Sequence, residues 1–248
     1  MDTALYVGLA QRTALRRRMD VVAHNVANMS TTAFNKERVV FRQHLVDAPN
    51  AAATRGGKIS YVLDHGIVRN LEVGTPVTTN NPLDIFISKG GYLAVEGQNG
   101  DTLYTRNGRM RVDTDNFITL LSGERVLDTD GNPIQLENGD TRVDISEDGT
   151  ISNELGTVAQ LNISTFASEQ SLQRVGTSLY ETDQDPLDPV NAPRVEITQK
   201  AYESSNVNAI ESTVEMIDVL RTYQQAEQRA KDIADLREDA LRRLSRVQ

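Results

Sequence analysis

Apolar residues recur at three- and four-residue spacings at both ends of this chain and at two-residue spacings between them. Near the N-terminus, Leu5, Gly8, Arg12, Leu15, Met19, Val22, Val26 and Met29 fall on one stripe. That is the period of a helix packing in coiled-coil fashion, interrupted at Gly8 and Arg12. No proline occurs before Pro49, and Ser30-Thr31-Thr32 offers the backbone competing hydrogen bonds. The pattern therefore predicts a helix over about 2–29. Near the C-terminus, Val207, Ile210, Val214, Ile217 and Leu220, then Ile233, Leu236, Ala240 and Leu244, predict a second helix over about 204–244. Its stripe drifts through a polar patch at Tyr223-Gln224-Gln225. Beyond that patch the helix is highly charged, with Glu227/Lys231 and Glu238/Arg242 at the i,i+4 spacing that supports a solvated helix.

Between the helices the period shortens. Leu83–Ile87, Tyr92–Val95, Phe117–Leu120, Arg142–Ile145 and Val158–Ile163 read as short strands. They are separated by turn signals at Gln98-Asn99-Gly100-Asp101, Arg106-Asn107-Gly108, Asp130-Gly131-Asn132 and Asp148-Gly149-Thr150. Connections this short favour antiparallel neighbours. The expected fold is mainly β with long terminal helices: an antiparallel β body and paired N- and C-terminal α-helices forming a coiled-coil-like stalk. The expected divisions are an N-terminal arm over 1–32, an irregular connector over 33–73, the β body over 74–198 and a C-terminal arm over 199–248. Within the connector only Ile59–Leu63 alternates as a strand would. Pro186, Pro189 and Pro193 mark an extended return towards the second helix.

Composition narrows the function. The 248 residues carry a formal net charge of −9, which argues against nucleic acid as a partner. Cysteine is absent, so disulfides, thiolate metal sites and cysteine nucleophiles are excluded. No apolar run reaches the ~20 residues of a membrane span. The segment after Arg16-Arg17-Arg18 is too polar for a secretory h-region. Aromatic residues are only 5% of the chain, lean for one compact globule and suited to elongated, partly solvated helices.

Candidate chemistry is sparse. A calcium loop starting at Asp128 puts Gly139 at its twelfth position, and one starting at Asp113 puts Phe117 and Ile118 where an oxygen ligand and glycine belong. Both read as hairpin turns. His24, His44 and His65 lack ligand spacing, and Gly56-Gly57-Lys58 and Lys89-Gly90-Gly91 lack the frame of a phosphate loop. No catalytic, cofactor or metal residue is expected. A β body has no internal use for two helices a whole sequence apart, so they are expected to pair with each other and with copies from neighbouring subunits. An enzyme or binding module with a helical clamp, and a coiled-coil scaffold, remain alternatives.

Two motifs then identify a family. His24-Asn25-Val26-Ala27-Asn28-Met29-Ser30-Thr31-Thr32-Ala33-Phe34 resembles the N-terminal signature of the bacterial flagellar rod and hook proteins, Asn-Asn-(Leu/Ile)-Ala-Asn, two residues, Thr-Gly-Phe. His24 stands for the first Asn and Ala33 for the Gly. Ser205-Asn206-Val207-Asn208 resembles the C-terminal motif of the same family, and Leu220-Arg221-Thr222-Tyr223-Gln224 loosely follows its continuation. Pro82–Ile85, Gly91–Val95, Tyr104–Gly108 and Asp148–Ile151 are similar to its shared β domain. Within the family the length and the opening Asp2–Leu9 are most similar to proximal-rod members, with distal-rod members the alternative. The resemblance implies a structural subunit of the basal-body rod in the periplasmic space, exported by the flagellar type III apparatus without a cleaved signal. It also implies helical polymerisation with itself and with other rod and hook subunits. The expected assembly interface comprises Leu5, Leu15, Met19, Val22, Asn25, Val26, Asn28, Thr32, Phe34, Asn206, Val207, Asn208, Ile210, Val214, Ile217 and Leu220.

Overall fold

The computed structural model describes the backbone of residues 2–47, 58–88, 90–97, 99–136, 143–187 and 194–245, and the side chains of these except 2–6, 43–47, 58–65, 237, 241 and 244–245. The chain divides into two compact units. One comprises 1–27, 37–70 and 207–248; the other comprises 28–36 and 71–206.

The first unit holds both helices. Helix α1 runs Asp2–Ala27 and α2 runs Ala209–Ser245. At about 1.5 Å per residue they span roughly 40 and 55 Å. They pack against each other. Buried positions lie in the C-terminal part of α1 (Val21, Val22, Asn25) and in the N-terminal and middle turns of α2 (Ser212, Val219, Ala226). An antiparallel pairing follows, and Arg18 meets Glu215 across it at 2.7 Å.

The 33–73 stretch, read from sequence as irregular apart from Ile59–Leu63, instead contains a long hairpin. Strand β1 (Glu37–Asp47) pairs antiparallel with β2 (Lys58–Arg69), with one register shift at Val40/Phe41. A two-stranded hairpin alone is marginal in water. This one lies against α1, which supplies the missing third layer. The segment joining the two strands, with the turn-prone Asp47-Ala48-Pro49-Asn50 and Arg55-Gly56-Gly57-Lys58, falls largely outside the described residues.

The second unit is the antiparallel β body. Strands β3 (Pro76–Thr78), β4 (Ile85–Ile87), β5 (Tyr92–Glu96), β6 (Thr102–Thr105), β7 (Met110–Val112), β8 (Ile118–Leu120) and β9 (Arg125–Val126) come first. After them come β10 (Asp144–Ile145), β11 (Thr150–Asn153), β12 (Gly156–Gln160) and β13 (Ile163–Ser164). The body closes with β14 (Gln173–Val175), β15 (Leu179–Glu181), β16 (Ile197–Gln199) and β17 (Ala201–Glu203). The largest sheet among the described residues has the order β14-β15-β6-β5-β9-β8-β7, with β13 also on β5. β10-β11-β12 form a meander, while β16 pairs with β4 and β17 with β3. These last two pairs bring the late part of the chain back onto its early part.

One core is shared by the largest sheet, the β10–β12 meander and the β4–β16 pair. Ile85, Ile87, Leu93, Val95, Met110, Ile118, Leu120 and Ile151 are fully buried in it. A second, aromatic cluster stacks Tyr92, Phe166 and Tyr180 edge to face, with ring centres 5.8–5.9 Å apart. The aspartates weighed for calcium are turn formers. The Asp113 carboxylate accepts the Asp115 and Phe117 amides, and that of Asp128 accepts Asp130 and Asn132.

Candidate assembly site

Residues 28–34 of the first motif meet Ser205 and Asn206 of the second in the β body. The α1 segment ends with the Asn28 carbonyl accepting the Thr31 amide, and the Thr31 hydroxyl donates to Asn28 Oδ1. Ala33 then adopts φ 55°, the left-handed region where a β-carbon is strained. That turn explains why the rod-and-hook pattern carries glycine at this place. The strained turn is held by a hydrogen bond from the Ala33 amide to the Glu203 carbonyl at 2.9 Å. It delivers Phe34 into a buried site capped by the Arg174 guanidinium, 4.6 Å from the ring centre.

Asn206 ties three chain segments together. Its amide donates to the Phe34 carbonyl (3.2 Å), its Oδ1 accepts the Lys36 amide (2.6 Å) and its Nδ2 donates to the Glu72 carbonyl (2.7 Å). No smaller or apolar residue could make the two side-chain bonds. Asn25 acts likewise in the helical unit, where its carboxamide donates to the Glu37 carbonyl (2.7 Å) and accepts the Glu37 amide (2.8 Å). It thereby sets the start of β1. Asn208 is the N-cap of α2: its Oδ1 accepts the amides of Ile210 and Glu211 at 3.0 and 3.2 Å.

Beneath this junction lies a buried ion pair that sequence reading missed. The Arg106 Nε donates to Glu203 Oε2 at 2.9 Å, while its Nη1 and Nη2 donate to the carbonyls of Gly91 and Ile87. Glu203 Oε1 accepts the Gly74 amide at 2.8 Å. Both side chains are almost wholly buried. Burial raises the Glu203 carboxyl above its ordinary range, against the pull of Arg106 and of the Gly74 amide. The available signal was weak: the two residues stand 97 positions apart, each beside a motif that was read for other reasons.

The remaining expected interface residues divide by exposure. Val22 and Val207 are buried, and Leu15, Met19, Val26 and Thr32 are half-buried. The Leu5 side chain lies outside the described residues. On α2 four large apolar residues of one stripe are exposed: Ile210 is 79% exposed, Val214 53%, Ile217 44% and Leu220 41%. The buried positions of α2 are Ser212, Val219 and Ala226, seven residues apart. The helix thus presents two faces, a lean one inward and a strongly apolar one outward. Four large aliphatic side chains of one stripe therefore face water.

Comparison with known proteins agrees at three places along the chain. Residues 5–34 match the model of the flagella basal body rod protein, residues 86–153 that of the flagellar hook protein FlgE/F/G D1 domain, and residues 198–242 that of the flagellar basal body rod FlgEFG protein C-terminal region. The chain is 30% identical to the flagellar basal-body rod protein FlgF of Caulobacter vibrioides over the whole length of both. It is also 30% identical to FlgF of Rhizobium meliloti over 90% of each. With the flagellar basal-body rod protein FlgG of Agrobacterium fabrum, identity is 26% over 89% of this chain and 91% of that one.

Proposed function

This chain belongs to the flagellar basal-body rod family as a structural subunit of FlgF type and not an enzyme, and from that premise we propose that it polymerises through its terminal helices. The outward stripe Ile210-Val214-Ile217-Leu220 carries the reading, because it is apolar, continuous over three turns and unpartnered by α1. Fully burying a side chain of this size contributes about 1.5–3 kcal/mol, and these four have 41–79% of their surface left to cover, so together they offset part of the entropic cost of association. A contact between two different faces repeats along a helix without closing, as a rod requires. In this reading α1 and α2 form a coiled-coil-like stalk, with partners among copies of this chain and adjoining rod and hook subunits.

The stalk would form the inner wall of a shaft in the periplasmic space, reached through the flagellar export apparatus without a cleaved signal. No helix among the described residues is long and apolar enough to cross a membrane. One asparagine from each motif supports the stalk indirectly, since Asn25 and Asn208 fix how each helix meets its neighbouring segment.

The test is genetic and structural. Deleting the gene in its source bacterium should leave basal bodies whose rings carry no completed rod or hook in electron micrographs. Complementation with Ile217→Asp should fail to restore them, although the purified variant keeps a folded β body. Intact flagella in either strain would refute the assignment of this stripe.

A further inference from the structure

Two Asn-Gly pairs lie among the described residues, and the fold treats them in opposite ways. Asn99-Gly100 sits at the tip of the β5–β6 hairpin, where both residues are exposed. Gly100 adopts φ 83°, and a β-carbon there would meet nothing within 4 Å. The Asn99 carboxamide makes no hydrogen bond to another described residue. One main-chain bond restrains the attacking nitrogen, from the Gly100 amide to the Gly97 carbonyl at 3.1 Å.

Asn107-Gly108 is enclosed. Asn107 Oδ1 accepts the Arg109 amide at 3.1 Å, and its own amide donates to Thr105 Oγ1 at 3.0 Å. Gly108 is buried, its carbonyl accepts the Ile85 amide at 2.9 Å, and a β-carbon on it would lie 2.0 Å from the Ile85 carbonyl oxygen. Its backbone is pressed flat against a core strand.

We propose that Asn99 is a site of spontaneous deamidation and isoaspartate formation in the folded protein, and that the fold protects Asn107. The Gly100 amide nitrogen attacks Asn99 Cγ, forming an N–C bond as its proton passes to solvent. The Cγ–Nδ2 bond breaks and ammonia leaves with a proton taken from water, closing a succinimide ring. Water then adds to either ring carbonyl, giving an aspartyl or an isoaspartyl residue, with no change of oxidation state. Glycine is required after the asparagine because a β-carbon would hinder the approach. At position 99 the ring can close after the hairpin tip frays. At position 107 it needs Gly108 to peel away from Ile85, which means opening the core.

The product matters to its surroundings. Asn99 borders a recess that also presents Asp101, Glu124 and Glu181, so the reaction adds a fourth carboxylate to three. The isoaspartyl form also lengthens the main chain by one carbon inside the turn that sets the Glu96–Thr102 register.

The experiment incubates the purified full chain in mildly alkaline buffer, with and without denaturant. Peptide mapping and an isoaspartyl methyltransferase assay then follow both sites. In the folded protein Asn99 should convert more than about tenfold faster than Asn107, a ratio equivalent to about 1.4 kcal/mol of opening free energy. In denaturant the two rates should converge, because both are then Asn-Gly in open chain. Asn99→Ser should remove the modified peptide and leave thermal unfolding unchanged. Equal rates at the two sites in folded protein, or an inert Asn99 alongside a reactive denatured chain, would overturn the proposal.

Discussion

Replacing Arg106 with methionine tests the centre of the β body. The substitution keeps most of the side-chain volume and removes the guanidinium that pairs with Glu203 Oε2 at 2.9 Å. Glu203 is left almost wholly buried with the Gly74 amide as its remaining side-chain partner. Breaking one partner of a buried pair costs about 3–5 kcal/mol, because a charge stays behind in a poor solvent. The carbonyls of Gly91 and Ile87 lose a donor as well, adding on the order of 1 kcal/mol each where water cannot replace it. Arg106→Met should therefore lower unfolding stability by about 5–7 kcal/mol near neutral pH, a large share of the total for a domain. Urea titration followed by tyrosine fluorescence measures it, since the chain has seven tyrosines and no tryptophan.

The sign of the pH dependence is fixed by the same geometry. Burial already raises the folded-state carboxyl of Glu203 above its ordinary value, and loss of Arg106 raises it further. For an acid raised in this way the penalty is full above the folded-state value and is relieved as pH falls towards the unfolded one. The deficit of Arg106→Met should shrink on acidification, and Glu203→Gln in the same background should remove most of that slope. A loss below about 1 kcal/mol, or a deficit that grows in acid, would show that the pair does not hold the junction together.

Four further outcomes follow from local geometry. Gly108→Ala places a β-carbon 2.0 Å from a main-chain oxygen and should destabilise the body by several kcal/mol or prevent folding. Gly131→Ala, at φ 84° in open space, should cost only about 1–2 kcal/mol, with thermal melts of the two variants making the comparison. Asn208→Ala removes the N-cap of α2 and should cost about 1 kcal/mol of helix stability, read as a loss of far-ultraviolet ellipticity at 222 nm on heating. Ile217→Asp should leave the unfolding free energy of the β body, read by urea titration, unchanged within about 0.5 kcal/mol, because the side chain is exposed in the free subunit.

The sequence by itself determined both helices, the antiparallel character of the body and the family. Each of these is written in short-range pattern: a 3.6-residue period without proline, a two-residue period between Asn-Gly and Asp-Gly turns, and motifs a few residues long. It also marked Ile210, Val214, Ile217 and Leu220 as one stripe, since large aliphatic side chains dominate any periodicity. Which face of α2 meets α1 was decided only in three dimensions. The contact face runs through Ser212, Val219 and Ala226, where one valine between a serine and an alanine gives a weaker periodic signal than the four-residue aliphatic stripe. The hairpin at 37–47 and 58–69 was hidden for a related reason, because support from α1 stabilises strands whose own alternation is weak. Short strands such as β3 and β17 exist only because residues some 125 positions apart are brought into register. The pairing of Arg106 with Glu203 and the enclosure of Asn107 beside the open Asn99 belong to the same class. A side chain's partner, its solvent and the freedom of its backbone are set by what the rest of the chain packs against it.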